Sequence, residues 1–348
     1  MGNLEVGVGI WSMQSTKFGP RHFSYLYNEL MEDAQYCDEL QTIKTIWQTE
    51  HHFWYDGYSP SLLTVAGGIA AATKHIQIGQ STMLFSQHEA LRVATQAAVV
   101  DQISGGRLQL GLGLGYRDNE FDGFNIDRRT RRARFEEGIE VLRASWANAP
   151  VNFHGKQFDV PDVSVTPKPF QPEIPIWVAA VGDAPIKRAA KLGLSIILSD
   201  ALTLDQLSEH IELYHKTADE YGVDTSKAKM GVLRRGWVAE TDDDAYQNAL
   251  KSLRFLLRDQ LGGWRYLKDE NGESVGFDTP DKLDAAAAKL VTVHERTIGR
   301  PEKVTRGLRE IAATGCDHII FGTRFDSLPR EKYLRSLELL ATEVIPNI

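Results

Sequence analysis

Short apolar stretches alternate with amphipathic stretches along this whole chain, and this alternation limits its fold more than any other feature. Eight of the short stretches resemble buried strands, and segments with helical periodicity separate them. The predicted strands span residues 5–10, 45–48, 76–82, 107–112, 175–180, 195–198, 229–239 and 316–321. The predicted helices span residues 25–40, 61–72, 89–103, 131–147, 184–192, 204–221, 242–261 and 332–344.

Two α/β architectures share this alternation, namely the closed (β/α)8 TIM barrel and the doubly wound open sheet. The count of eight strands and the lack of a linker favour the barrel, as a single domain over residues 1–348. A typical barrel needs about 250 residues, so the extra length predicts insertions. These fall near 113–130, 150–173 and 262–280, the second with a hairpin and the third as a lid or a plain surface loop.

Composition narrows the function classes. The formal net charge is -8 at pH 7, and a negative surface repels phosphate backbones, so no nucleic-acid partner is predicted. The two cysteines, Cys37 and Cys316, have neither metal-type nor redox-type spacing. The start of the chain lacks the pattern of a signal peptide, and no apolar run reaches the roughly 18 residues of a membrane span. We therefore expect a cytoplasmic protein without a membrane partner.

Glu50, His51 and His52 form the most reactive cluster at a predicted strand end, which is where barrel enzymes place their active sites. Side chains alternate in extended backbone, so only one of the two histidines should face the site. That histidine could act as an acid or base near neutral pH, or could simply bind a neighbouring loop. No His-x-x-x-His spacing is present, and no metal is predicted.

Two further strand ends carry patterns that suit a ligand. The glycines of residues 111–115 would let the backbone approach a flat ligand, or would make room for core packing. No apolar helix opens at Tyr116, so this run is not a dinucleotide fingerprint. Residues 182–186 could offer backbone N–H groups to a phosphate, or form an ordinary turn in which Asp183 caps the helix.

An ordered set of motifs over nearly the whole chain resembles the bacterial-luciferase-like flavin-dependent monooxygenase family. The resemblance implies a (β/α)8 barrel that binds reduced FMN, forms a peroxyflavin with O2 and oxygenates a small organic substrate. The motifs are WQTEHHF at 47–53, IGQS at 78–81, DQISGGRLQLGLG at 101–113, EFDGF at 120–124, PKP at 167–169 and IGRPE at 298–302.

The resemblance also implies roles for individual residues. His51 matches the catalytic histidine, and Ser81 and Thr82 match a pair, often joined by a cis peptide, that packs on the flavin ring. The segment that holds the flavin after strand four contains Gly113, Gly115 and Tyr116, and the phosphate-binding turn contains Gly182, Asp183 and Ala184. Relatives often carry Arg where this chain has Leu114, and Asp183 would repel a phosphate. These two departures leave open another cationic partner for the phosphate, with Arg234 and Arg324 as candidates.

Aromatic residues near the predicted site suggest an apolar or planar substrate, with Trp11, Phe53 and Trp54 in the substrate pocket. The resemblance further implies a separate flavin reductase that supplies the reduced FMN. Three alternatives remain. They are a deazaflavin-dependent reductase or dehydrogenase on the same fold, a non-catalytic flavin-binding protein, and a metal-dependent barrel hydrolase.

The helices at 61–72 and 89–103 carry few polar residues, although an outer barrel helix should show one polar face to water. Their outer faces should therefore be covered by an insertion or by a second subunit. Twofold dimers are the commonest assembly, and the resemblance also implies dimers, so we predict a homodimer that uses this side of the barrel.

Overall fold

Eight parallel strands close into a barrel, which confirms the predicted fold class. The computed structural model describes residues 4–9, 22–54, 58–262, 277, 279–323 and 328–348. Neighbouring strands in the chain are neighbours in the ring, and the last strand pairs with the first. The barrel strands, β1 to β8 in chain order, are Glu5–Gly9, Thr45–Gln48, Gln77–Gln80, Leu108–Leu112, Ile176–Ala180, Ser195–Leu198, Met230–Arg235 and His318–Gly322.

Helices surround the barrel and bury their apolar stripes against it. In the helix that follows β6, for example, Leu207, Ile211, Tyr214 and Ala218 recur at helical spacing and are all buried. None of the helices within the described residues is long and apolar enough to cross a membrane. The helices, α1 to α11, are Phe23–Leu40, Leu62–Ala72, Ala90–Ser104, Asp118–Gly123, Arg131–Trp146, Asp183–Lys191, Leu204–Glu220, Asp242–Phe255, Pro280–Val293, Pro301–Ala312 and Arg330–Leu339.

The barrel interior is a packed core. The rings of Trp47 and Trp177 meet edge to face with centroids 5.3 Å apart, and the Trp47 indole N–H donates to His318 at 3.0 Å. Gly7 and Gly79 leave room for Trp47, because a Cβ at either position would collide with the indole. Because the side chains of Trp47, Trp177 and His318 fill the barrel interior, any ligand must bind at one end of the strands.

The structure departs from the predicted elements between β7 and β8. The strand predicted over 229–239 is split, since β7 ends at Arg235 and Trp237–Val238 pairs with Ile298–Gly299 outside the barrel. Helices α9 and α10 were not predicted. Each begins with a proline at its first turn, a signal that the sequence contains.

The predicted insertions differ in content. Residues 113–130 contain α4 and a short 3-10 turn, Arg128–Thr130. Residues 150–173 contain an antiparallel hairpin of Val151–His154 and Asp159–Val163. Most of 262–280 lies outside the described residues, so the lid stays a prediction.

Candidate active site

A cavity of about 460 Å³ opens at the carboxyl ends of β2, β3, β4 and β5. Its walls come from the segments that follow these strands, as the barrel rule predicts. It brings together most of the residues expected to bind flavin or to act in catalysis. The predicted residues that line it are His51, Ser81, Thr82, Gly113, Gly115 and Tyr116.

His51 lies between a carboxylate and a phenol. Its Nδ1 is 2.9 Å from Glu120 Oε1, and its Nε2 is 3.3 Å from the hydroxyl of Tyr116. An ionised carboxylate can only accept, so Nδ1 must carry the proton and Nε2 must be the acceptor. Nε2 can therefore take a proton from a group in the cavity.

Electrostatics keep His51 neutral and Glu120 ionised. Burial lowers the pKa of His51, and the nearby Glu120 carboxylate offsets this only in part. Burial raises the pKa of Glu120, but the hydrogen bond from His51 and the charge of Arg117 outweigh burial and hold it below its ordinary value. Near neutral pH the pair is thus an imidazole oriented by a carboxylate, the usual arrangement of a general base.

Further hydrogen bonds fix Glu120 in place. Its Oε1 also accepts from the backbone N–H of His52 at 2.9 Å and from the guanidinium of Arg117 at 3.0 Å. Arg117 in turn donates to the carbonyl of His52 at 3.2 Å. The carboxylate is fully buried, so the segment after β2 and helix α4 are locked together behind His51.

Glu50 lines the same cavity and holds a second hydrogen-bond network. It accepts from the Leu84 backbone N–H at 2.6 Å and from His88 Nε2 at 3.0 Å, and His52 Nε2 lies 3.2 Å from its Oε1. Burial raises the pKa of Glu50, but the charge of His88 and bonds from both histidines outweigh burial and lower it to about 2. As expected from alternation, the adjacent histidines serve different carboxylates.

The side chains of Glu50, His52 and His88 each offer one metal-ligating atom, and these atoms lie within 4.8 Å of one another. The sequence spacing had given no sign of such a cluster, because His88 follows another strand. The carboxylate already has donors in His88 and Leu84, so we treat the cluster as a hydrogen-bonded brace.

The segments after β3 and β4 form a smooth wall of the cavity. The Ser81–Thr82 peptide bond is cis. A Cβ at Gly113 would lie 2.6 Å from Thr82 Oγ1, and Gly115 has φ +70°, which favours glycine. Gly111 instead serves packing, because a Cβ there would collide with the carbonyl oxygen of Gln80. The glycine run thus combines both roles considered from the sequence.

Two arginines that the sequence reasoning did not propose as ligands line the cavity. Arg128 pairs with Asp118 at 2.8 Å, and Arg131 donates to the carbonyl of Gly115 at 3.3 Å. Both arginines come after Leu114 in the chain. They bring to this part of the cavity the positive charge that Leu114 lacks. Of the cations considered before, Arg234 lines a different cavity and Arg324 lies outside the described residues.

Some predicted site residues do not line the cavity. Val181 and Pro185 line it, but the residues between them, Gly182, Asp183 and Ala184, do not. The residue that caps α6 is Gly182, and not Asp183 as the sequence had suggested.

Of the residues predicted for the substrate pocket, Phe53 and Trp54 do not line this cavity. Phe53 is 54% exposed and packs on Phe124, and Trp54 lies 5.7 Å from the Arg117 guanidinium. Trp11 lies outside the described residues.

The family model of the luciferase-like monooxygenases matches residues 12–318. This chain belongs to that family. It is therefore an oxidoreductase, and its assignment agrees with the resemblance carried by the motifs at β2, β3 and β4.

Sequence relatives of this luciferase-like chain include two named enzymes. The oxygenase component of the flavin-dependent trigonelline monooxygenase of Acinetobacter baylyi is 26% identical, over 92% of this chain and 89% of the relative. The alkanal monooxygenase alpha chain of Aliivibrio fischeri is 24% identical, over 95% and 98%.

Solved structures show the same fold at low identity. The monooxygenase RslO1 of Streptomyces bottropensis has a TM-score of 0.85 at 23% identity, with 99% of each chain covered. A type II Baeyer-Villiger monooxygenase of Pseudomonas putida, in complex with FMN, has 0.79 at 20%, with 100% and 99% covered. An F420-dependent secondary alcohol dehydrogenase has 0.75 at 20%, with 99% of each covered. The fold alone therefore does not select the flavin.

Proposed function

We propose that the chain is the oxygenase component of a two-component monooxygenase, which binds reduced FMN and uses O2 to oxygenate a small organic substrate. The observation that carries this proposal is the His51–Glu120 pair at the wall of a cavity that also contains Arg128 and Arg131. Reduced flavin, when bound, supplies the electrons that activate O2.

The cavity residues fit an FMN molecule. Gly113 and Gly115 leave one wall without side chains, which suits a planar ring. Arg128 and Arg131 supply the positive charge that a phosphate needs, since arginine forks match phosphate geometry. The turn at 182–184 does not itself line the cavity, but Val181 and Pro185 on either side of it do, so we propose that its backbone N–H groups reach the phosphate when the ligand is bound.

His51 has the central role among the protein groups. It holds its Nδ1 proton against Glu120, and its Nε2 takes a proton either from the Tyr116 hydroxyl or from a ligand group that displaces this hydroxyl. Tyr116 binds the same Nε2 and so fixes the plane of the ring. The network behind the imidazole is buried, which excludes water from that side of the cavity.

Two assembly proposals accompany this function. The relative from Acinetobacter baylyi is named as an oxygenase component, and we propose a transient flavin reductase partner for this chain as well. We also propose a homodimer through α2 and α3, because Val99 and Ile103 on the outer face of α3 are 40% and 51% exposed. The cytoplasmic location stays a prediction.

A deazaflavin-dependent reductase is the second candidate, favoured by the F420-dependent structural neighbour. It would not need O2 or a flavin reductase. The test is to incubate the protein with NADH, FMN and either an alkanal or trigonelline under ¹⁸O2, with and without a flavin reductase. We expect labelled product only with the reductase. Two results would contradict the proposal. One is rapid oxidation of NADH by the pure protein, and the other is conversion of substrate with a deazaflavin cofactor in the absence of O2.

A further inference from the structure

A second cavity, of about 420 Å³, lies beside β7 and shares no lining residue with the first. Leu233 packs into the barrel interior with the two central tryptophans, so its neighbour Arg234 points to the opposite face of the strand. There Arg234 lines the cavity together with Thr203 at the start of α7 and the segment after α9.

Arg234 is a buried cation whose hydrogen-bond partners among the described residues are backbone carbonyls. Only 4% of the residue is exposed, and its guanidinium donates to the backbone carbonyls of Asp200 and Leu202. Among the described residues, the nearby Asp200 carboxylate pairs instead with Arg235 at 3.1 Å, and no carboxylate pairs with Arg234. A guanidinium stays charged at any physiological pH, so its burial is costly when the nearby carboxylate is already paired with another arginine.

His294 lines the same cavity and has a ring nitrogen with no hydrogen-bond partner among the described residues. It is 2% exposed, and its Nδ1 has no hydrogen-bond partner among the described residues. Burial and, to a smaller extent, the charges of Arg235 and Arg234 lower the pKa of His294 to about 4, although the Asp200 carboxylate opposes them. The ring is therefore neutral near pH 7 and can still donate or accept one hydrogen bond.

The other charges at the cavity are compensated or exposed. Arg296 pairs with Glu310 at 2.7 Å and is partly exposed. Asp205 is exposed on the first turn of α7. In the part of the chain that the structure describes, the Asp200 carboxylate faces the guanidinium groups of Arg234 and Arg235, which leaves one positive charge beside the cavity.

We infer that this second cavity binds a small oxyanion, a carboxylate or phosphate group of a small molecule, held by Arg234 and His294. The ligand would supply a second negative charge beside Asp200 and a partner for the imidazole. The site is distinct from the cavity proposed for FMN, because Arg128 and Arg131 lie in the other one. The occupant would also brace the loop between β6 and α7, whose carbonyls Arg234 holds.

The test is calorimetric titration of the whole protein, with sodium sulfate as the phosphate probe and sodium malonate as the carboxylate probe, at constant ionic strength. FMN is present at saturating concentration, so that the first cavity is occupied and does not contribute to the heat of binding. We expect saturable binding of at least one probe. Arg234→Gln should weaken that binding at least roughly ten-fold, since it removes a charge-assisted contact.

Matched variants keep the result interpretable. Arg132→Gln changes an exposed arginine away from both cavities and should bind as the unmodified protein does. Arg296→Gln changes a partly exposed lining residue and should weaken binding roughly three-fold even if Arg234→Gln does not fold. Absence of saturable binding by both probes, or equal affinity in Arg234→Gln or in a folded Arg296→Gln, would overturn the inference.

Discussion

At the scale of single residues, the chemistry depends on the orientation of one imidazole. Glu120 accepts the Nδ1 proton of His51, and this bond leaves Nε2 as the acceptor in the cavity. The same residue type in a surface loop would sample both tautomers. Here burial and the carboxylate select a neutral ring with one defined tautomer.

Replacement of His51 by alanine tests its role as a base. We expect His51→Ala to fold and to bind reduced FMN, while product formation falls by roughly 10² to 10⁴ fold, as for lost acid–base catalysis. Steady-state turnover with excess reductase measures this, and His154→Ala, an exposed histidine, is the control. Unchanged turnover in a folded His51→Ala would rule out the catalytic role.

Replacement of Glu120 by glutamine tests the orienting bond. The carboxylate raises the pKa of His51, so Glu120→Gln should lower this pKa further. A base works in its neutral form, and its activity is lost as pH falls through its pKa. The acid limb of the pH–rate profile should therefore move to lower pH, and the plateau rate should fall roughly ten-fold or more, because the tautomer is no longer fixed. A shift to higher pH would contradict this mechanism.

At the scale of elements, Glu50 ties the end of β2 to the segment that leads from β3 into α3. It does so through the Leu84 backbone N–H and through His88. The wall that contains Ser81 and Thr82 therefore depends on the buried carboxylate of Glu50, which also lines the cavity.

The lowered pKa of Glu50 makes the stability gained from these hydrogen bonds dependent on pH. Its folded-state pKa is about 2 and its ordinary value is 4.5, so its stabilisation is complete above about pH 4.5 and is lost as pH falls towards 2. The shift corresponds to stabilisation on the order of 3 kcal/mol. Glu50→Gln should lower the free energy of unfolding at pH 7 and flatten its fall below pH 4.5.

Urea unfolding at several pH values measures this effect. Glu220→Gln, which changes an exposed carboxylate at the end of α7, is the control and should leave the profile unchanged. Equal pH profiles for Glu50→Gln and the unmodified protein would show that the carboxylate is not a brace.

The sequence predicts elements with strong periodicity better than contacts between distant segments. Strands β2 and β6 match their predicted bounds, because short apolar runs with clear ends define them. His51 and the glycines after β4 were found for the same reason, since a barrel places strand ends together. Glu120 and Arg128 were not singled out, because only folding of the segment after β4 brings their charges to the cavity.

At the scale of the whole molecule, one side of the barrel shows apolar side chains to solvent. Helices α2 and α3 pack together, and their outer face includes Ala71, Val99 and Ile103, while Ala70 is buried. A second copy of the chain that covers this face would remove its apolar side chains from water. The proposed dimer accounts for two helices that lack a polar face.

A charge placed on this face should separate the subunits. We expect the unmodified protein to sediment at about twice the chain mass of 39.0 kDa, and Val99→Arg to sediment as a monomer at micromolar concentration. Val293→Arg, which changes a valine of similar exposure on α9, should remain a dimer. A monomeric unmodified protein, or a dimeric Val99→Arg, would refute the interface.

Anaerobic titration of the protein with reduced FMN tests the central claim most directly, because it needs no knowledge of the substrate. Reduced FMN should bind saturably and at least roughly ten-fold more tightly than oxidised FMN or reduced F420. Arg131→Gln should weaken this binding by a similar factor, because it removes a charge-assisted contact, while Arg132→Gln should not. Tighter binding of reduced F420, or no saturable binding of reduced FMN, would contradict the proposed function.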